Sequence, residues 1–209
     1  MGKIEEIYKK QSPAGTDFFK DYGQNLSGLI SHLDFNAVLA VAQRIEQARD
    51  KGQMIFFAGN GGSAATASHF AQDIGEIGRK IGGKGFRTFS LNDHAAALTA
   101  ISNDYDYTQV FSMQMANHFQ PGDVLVVISA SGNSPNVVKA VELARQREGT
   151  TIALVGFDGG RLAKMCDIIV WAKTEKGEYG PVEDAHLILN HMITSYLTHK
   201  LRHGAKANG

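Results

Sequence analysis

Short apolar segments alternate with amphipathic helical patterns along most of this chain of 209 residues. Most of the apolar segments are continuous runs, which is typical of strands that helices cover on both faces. The alternation therefore predicts an α/β fold, a doubly wound five-stranded parallel sheet. The predicted strands lie near 53–58, 86–91, 123–128, 151–156 and 167–171. The predicted helices of this core lie near 63–78, 93–102, 108–118, 134–147, 159–165 and 183–202.

Two further amphipathic helices are predicted before the first strand. We expect one domain over 1–209, with a helical N-terminal extension over 15–50 and an α/β core over 53–202. A content of 43% hydrophobic and 20% charged residues supports one globular domain with a substantial core. The apolar width of residues 18–45 exceeds what a helix pair outside the sheet would bury alone, so we expect these helices to contact other subunits.

Two loops of small residues connect a predicted strand to a predicted helix. The first loop is Gly59–Ser63, after the run Met54–Ala58, and the serine loop is Ser129–Ser134, after Val124–Ile128. Backbone N–H groups at such a turn can approach an anion, and the helix dipole favours negative charge there. Because the serine loop adds three hydroxyl groups, it suits a monophosphate on a small metabolite.

Each loop has alternative interpretations. The first loop matches the dinucleotide pattern G-x-G-x-x-[GA], but the acidic residue expected about twenty residues later is missing. It is therefore a phosphate-binding loop, a tight turn without ligand, or the dinucleotide site of a nicotinamide oxidoreductase. In the serine loop, Ser134 can simply cap the helix that begins at Pro135, but capping explains only one serine. A third turn, Gly156–Gly160, is typical of structural turn chemistry.

Titratable side chains recur at helical spacing on two of the predicted helices. His69 and Asp73 are four residues apart, and Glu183 and His191 are eight apart, whereas His186 points away from the latter pair. Each pair alone is typical of a solvated helix face. If both face one cleft, the four side chains predict either a divalent metal site, for zinc or a similar ion, or general acid and base groups. Asp93 and His94, which close the second strand, are weaker candidates.

Charge and composition exclude several classes of function. The formal net charge is zero, so a footprint for nucleic acid or an anionic membrane is not expected. No apolar run reaches transmembrane length, and the first residues lack the apolar core of a signal peptide. The single cysteine, Cys166, fits a reducing compartment. We therefore expect a cytoplasmic protein.

Taken together, these motifs resemble the sugar isomerase (SIS) domain family, specifically its phosphoheptose isomerase branch. The resemblance covers most of the chain, and the serine loop together with the first loop, in this order and spacing, is its most specific part. The matching segments are 59–63, 69–71, 103–105, 128–137 and 156–160, with His186 and His191 on the last helix.

The resemblance implies an aldose–ketose isomerase that converts sedoheptulose 7-phosphate to an aldoheptose 7-phosphate through an enediol, for heptose or surface-glycan biosynthesis. It implies a homotetramer with sites at subunit interfaces, catalysis by Asp73 and His191, and one zinc per subunit. Its zinc ligands fall on His69, Asp73, Glu183 and His191. Its sugar phosphate site falls on Asn60, Gly61, Gly62, Ser63, Asp93, His94, Ser129, Ala130, Ser131, Ser134 and Glu183.

The chain departs from the family pattern inside this expected site. The family normally has Glu at the position of Asp73, Gln at that of Glu183 and Asp at that of His94. An Asp carboxylate is one methylene shorter, and proton abstraction requires hydrogen-bond reach. The alternative is therefore a non-catalytic SIS protein, a phosphosugar-binding or initiator-associating regulator.

Overall fold

The computed structural model describes residues 2–10 and 15–207. Within this part, the strands are β1 (Met54–Gly59), β2 (Arg87–Ser90), β3 (Val124–Ser129), β4 (Thr150–Gly156) and β5 (Ile168–Ala172). They form one sheet in the order β2-β1-β3-β4-β5, and every neighbouring pair is parallel. The predicted five-stranded parallel sheet is confirmed. Residues 1, 11–14 and 208–209, which the single-domain prediction includes, lie outside the described residues.

Helices connect the strands and precede them. They are α1 (Lys3–Lys9), α2 (Thr16–Ser31), α3 (Phe35–Lys51), α4 (Gly62–Ile81), α5 (Ala95–Asp104), α6 (Val110–Ala116), α7 (Pro135–Gln146), α8 (Leu162–Met165) and α9 (Tyr179–Ala207), with a 3₁₀ helix at Tyr107–Gln109. The sequence pattern predicted all of them except α1 and the separate 3₁₀ turn. α9 is longer than predicted at both ends, because it begins at Tyr179 and continues past 202 to Ala207.

Both faces of the sheet are buried under helices, as the continuous apolar strands predicted. In β1, Ile55 and Phe57 pack with α3, α4 and α9, while Phe56 and Ala58 pack with α6 and α7 on the other face. The alternation of consecutive residues between two cores is the period of two expected for a strand. The two cores fix α4 and α9 side by side on one face of the sheet.

The two helices of the N-terminal extension differ in burial. Asp34 caps α3 by accepting hydrogen bonds from the backbone of Asn36 and Ala37. α3 buries an apolar face in the chain's own core, through Val38, Val41, Ala42, Ile45 and Ala48. α2 has no buried residue, and Phe19 on it is 74% exposed. The predicted excess of apolar surface therefore lies on α2 and the outer face of α3.

None of the helices within 2–10 and 15–207 has the combination of length and apolarity that crossing a membrane requires.

Candidate functional site

The serine loop leaves the carboxyl end of β3 and leads into α7. Ser129 and Ala130 are buried, whereas Ser131 and Ser134 are partly exposed. Ser134 occupies the N-cap position of α7, but its side chain makes no capping hydrogen bond. Among the described residues, the backbone N–H groups of Ser131 and Ser134 have no acceptor. The loop thus presents backbone and hydroxyl donors at a helix N-terminus, an arrangement suited to an anion.

The turn at Gly156–Gly160 packs against the serine loop and holds its shape. Gly132 has φ +62°, and a side chain there would collide with the carbonyl of Gly159. Asn133 Oδ1 accepts from the backbone N–H of Arg161 at 3.0 Å, and the Gly132 carbonyl accepts from that of Leu162 at 3.0 Å. These contacts agree with the prediction that the turn at Gly156–Gly160 has a structural role.

The first loop lies beside the serine loop because β1 and β3 are neighbours. Asn60 and Asn136 form a reciprocal pair of amide hydrogen bonds, each 2.9 Å long. The hydroxyl of Tyr107 donates to Asn60 Oδ1 at 2.8 Å. Gly61 has φ +54°, a conformation that favours glycine, and Ser63 is buried on the first turn of α4. The serine loop is therefore bordered by Asn60, Gly61 and Gly62, whereas Ser63 is largely buried.

Sequence reasoning missed the residues that join these loops. Asn136 is 2% exposed and directly follows Pro135 at the start of α7. Asn92 holds the end of β1, since its side chain accepts from the Gly59 N–H at 3.1 Å and donates to the Gly59 carbonyl at 2.8 Å. The available signals were an asparagine two residues after the end of β2 for Asn92, and an asparagine directly after the helix-opening proline for Asn136.

A histidine cluster lies between α4 and α9 and consists of His69, Asp73 and His191. Their ligand atoms all lie within 4.8 Å of one another. His69 Nε2 is 3.2 Å from Asp73 Oδ2, and the His69 and His191 rings meet edge to face with centroids 5.1 Å apart. His191 is exposed, and Asp73 is half-buried. The predicted approach of the two helix faces therefore occurs within one chain, and the three side chains could hold a metal ion.

Within the described residues, Glu183 lies outside this cluster, which contains three of the four predicted metal ligands. Its carboxylate lies against Gly62, on the first turn of α4. The physical reason is axial distance: Glu183 and His191 share a helix face, but eight residues correspond to about 12 Å along the helix axis. Glu183 therefore borders the first loop, where its role as a substrate contact remains a prediction.

Asp93 and His94 line a separate cavity of about 420 Å³ between α4 and the end of β2. Asp93 Oδ1 accepts from Ser68 Oγ at 2.5 Å, and Ser68 also contacts Ser90 Oγ at 3.1 Å. Ser68 directly precedes His69 on α4, so the cavity borders the neighbouring face of the helix that carries the cluster. His94 occupies the N-cap position of α5 but makes no capping hydrogen bond with its side chain.

Asp73 has an additional partner that the sequence did not reveal. Asn190 Nδ2 donates to Asp73 Oδ2 at 3.0 Å, and Thr194 Oγ1 donates to Asn190 Oδ1 at 3.2 Å. Both α9 residues are buried. Asn190 and Thr194 are four residues apart on α9, as are His69 and Asp73 on α4, but no sequence motif indicated that they contact the cluster.

His186 is buried behind the loops and points away from the cluster, as expected. Its Nε2 lies 3.3 Å from the Val155 carbonyl, and its Nδ1 has no partner among the described residues. Burial lowers the pKa of His186 from 6.5 to about 4, and the hydrogen bond to Val155 opposes this only in part. The side chain is therefore neutral at pH 7.

Comparison with known proteins identifies relatives along most of the chain. A family model described as the SIS domain matches residues 17–156. A phosphoheptose isomerase of Trichlorobacter lovleyi is 39% identical over 157 residues, covering 75% of this chain and 78% of the relative. A phosphoheptose isomerase of Rhodospirillum rubrum is 37% identical over 143 residues, covering 68% and 74%. The structure of a phosphoheptose isomerase from Neisseria gonorrhoeae superimposes with a TM-score of 0.72 at 33% identity, covering 85% of this chain and 91% of that one.

Proposed function

This chain belongs to the SIS domain family and to its phosphoheptose isomerase branch, and on that premise we propose that it interconverts sedoheptulose 7-phosphate and an aldoheptose 7-phosphate. The observation that carries the proposal is the meeting of His69, Asp73 and His191 on two helices whose first turns border the loops. The reaction is an aldose–ketose isomerisation, which requires an anchored phosphate and groups that move protons.

The phosphate binds at the serine loop. The hydroxyls of Ser129, Ser131 and Ser134 and the N-terminus of α7 supply donors without a cation. His69 follows Gly62 by seven residues along α4, which corresponds to about 10 Å. An extended seven-carbon chain with a terminal phosphate spans such a distance, so its carbonyl end reaches the cluster.

Asp73 and His191 transfer the protons. The Asp73 carboxylate removes the proton from C1 of the ketose, the C1–C2 enediol forms, and the proton returns to C2. His191 moves the hydroxyl proton from O1 to the oxygen at C2, so the net reaction relocates two hydrogens and consumes nothing. A carboxylate and an imidazole are the usual groups for such transfers near neutral pH.

The cluster suits zinc as well. Two imidazole nitrogens and one carboxylate oxygen are a donor set found in catalytic zinc sites, where three protein ligands leave one position open. His69, Asp73 and His191 would hold the ion, and zinc bound there would polarise the sugar carbonyl.

A second copy of this chain covers the surface beside the cluster. An apolar groove of about 200 Å³ lies between α3 and α9, and Phe35, Leu39, Met192 and Tyr196 are between 37% and 51% exposed along it. Met192 directly follows His191, so a subunit docked here borders the exposed histidine. We assign the groove and α2 to the interfaces of a homotetramer.

We also propose a cytoplasmic location and a role in supplying heptose for surface glycans. The single cysteine, Cys166, fits a reducing compartment, and burial raises the pKa of its thiol to about 12.

The test is turnover on a panel of five-, six- and seven-carbon ketose phosphates, with the metal content of the same sample measured. We expect the highest kcat/KM with sedoheptulose 7-phosphate and none with Asp73→Asn. Binding of the sugar phosphate without turnover would instead identify a regulatory SIS protein. A rise of NADH fluorescence on mixing would support the dinucleotide alternative.

A further inference from the structure

We propose that Asn190 is a positioning residue for Asp73, and that Thr194 fixes the orientation of the Asn190 amide. The inference rests on the proposed function, because it assigns a role in proton abstraction to a side chain that does not touch the substrate. It is drawn from the contacts between α4 and α9.

The Asn190 amide is enclosed between the two helices. Asn190 is 0% exposed. A buried amide is costly unless its polar atoms are paired. Its nitrogen donates to Asp73 Oδ2 at 3.0 Å, and its oxygen accepts from Thr194 at 3.2 Å. Both ends of the amide therefore have partners, and the amide cannot move to another partner without loss.

The orientation of the amide follows from its two partners. An ionised carboxylate only accepts hydrogen bonds, so the amide nitrogen must face Asp73. The hydroxyl of Thr194 donates to the amide oxygen from one helical turn further along α9. Thr194 in turn is fixed in a regular helical segment, where its carbonyl accepts from Thr198 Oγ1 at 2.7 Å. Thr194 thus donates to Asn190, and Asn190 in turn donates to Asp73.

Only one oxygen of Asp73 is occupied by these contacts. Asn190 Nδ2 and His69 Nε2 both approach Oδ2, at 3.0 and 3.2 Å. Within residues 2–10 and 15–207, Oδ1 has no hydrogen-bond donor. Two contacts on Oδ2 fix the rotation of the carboxylate and leave Oδ1 as the free acceptor. Proton abstraction depends on such placement, because a small misplacement of a reacting atom costs rate.

The experiment compares Asn190→Leu, which keeps the branching and the number of side-chain heavy atoms and removes the donor, with Thr198→Val. In the part of the chain that the structure describes, Thr198 donates only to a backbone carbonyl one turn away along α9, so its variant is the matched control. With sedoheptulose 7-phosphate, we expect Asn190→Leu to lower kcat by about 10–100-fold, as for other residues that orient a functional ligand. KM and the inhibition constant of inorganic phosphate should stay near the wild-type values, and Thr194→Val should give a smaller loss of kcat.

Asn190→Asp serves where Asn190→Leu does not fold, because it has the same shape and replaces the donor by an acceptor. A loss of kcat in it, with unchanged phosphate inhibition, supports the inference. Wild-type kcat in either folded Asn190 variant overturns it, as does an equal loss in Thr198→Val, which would indicate helix packing alone. A wild-type protein without isomerase turnover overturns the proposed function itself, and this inference with it.

Discussion

The carboxylate of Glu183 lies against Gly62, where a methyl group added to the glycine would collide with both carboxylate oxygens. The contact ties the first turn of α4 to the start of α9 beside the first loop. Since Glu183 lies about 12 Å along α9 from His191, it lies beside the first loop and not in the cluster of His69, Asp73 and His191.

Gly62→Ala should therefore displace Glu183 without unfolding the protein, because the colliding atoms are the mobile end of a side chain. We expect KM for the sugar phosphate to rise by roughly 2–10-fold, the equivalent of one net hydrogen bond. Steady-state kinetics measure this. Gly85→Ala is the matched control, since an added methyl group there meets nothing within 4 Å. An unchanged KM in Gly62→Ala would show that Glu183 does not contact the substrate.

Ser131→Ala should weaken phosphate binding without altering the fold. Among the described residues, Ser131 Oγ accepts only one long hydrogen bond, of 3.3 Å, from the Asn133 N–H, so its loss costs the fold little. Loss of one hydrogen bond to a charged phosphate costs about 1.5–3 kcal/mol. Calorimetric titration with a sugar phosphate measures the affinity, and Ser102→Ala, on exposed α5, is the control. Equal affinity of the Ser131 variant and the wild type would mean that the loop is only a turn.

His186 should make the fold sensitive to acid. Its pKa is about 4 in the folded protein, against 6.5 for a histidine in the unfolded chain, so between these pH values the unfolded chain binds the additional proton. Stability therefore falls as pH drops from about 6.5 towards 4, by up to about 3 kcal/mol. Urea unfolding at pH 7, 6 and 5 measures the slope. His186→Gln should flatten it, whereas the exposed His199→Gln should not; equal slopes in all three proteins would contradict the prediction.

Association of the subunits should depend on the apolar groove between α3 and α9. Leu39→Glu combined with Met192→Glu places two charges on partly exposed apolar positions. Burying an unpaired charge at an interface is costly, so we expect the tetramer to dissociate. Light scattering at micromolar concentration measures the mass, and Lys51→Glu, at the exposed end of α3, is the control. A stable wild-type monomer would refute the proposed assembly.

The sequence predicted the sheet, both loops and the meeting of His69 with Asp73, because each depends on local spacing along a strand or a helix. It grouped Glu183 with the metal ligands, whereas within the described residues Glu183 lies apart from the other three, since residues eight apart share a helix face but not an axial position. α1 was missed because one of the hydrogen bonds that stabilise it is long-range: the Ile4 N–H donates to Glu178 Oε1 at 2.8 Å. Asn190 was missed because its role arises only where α9 packs on α4.

Zinc binding by His69, Asp73 and His191 should depend on pH. Zinc ligation requires neutral imidazoles, so zinc should raise the melting temperature near pH 7 and do so less near pH 5. His191→Ala should abolish both this shift and turnover, because it removes one of the three ligands. Asp73→Asn should abolish turnover even where some zinc still binds. Glu183→Gln is the matched control and should keep the zinc shift, because Glu183 lies against Gly62 and outside the cluster. Thermal melts with and without zinc measure these differences, and full activity of Asp73→Asn would remove Asp73 from the reaction.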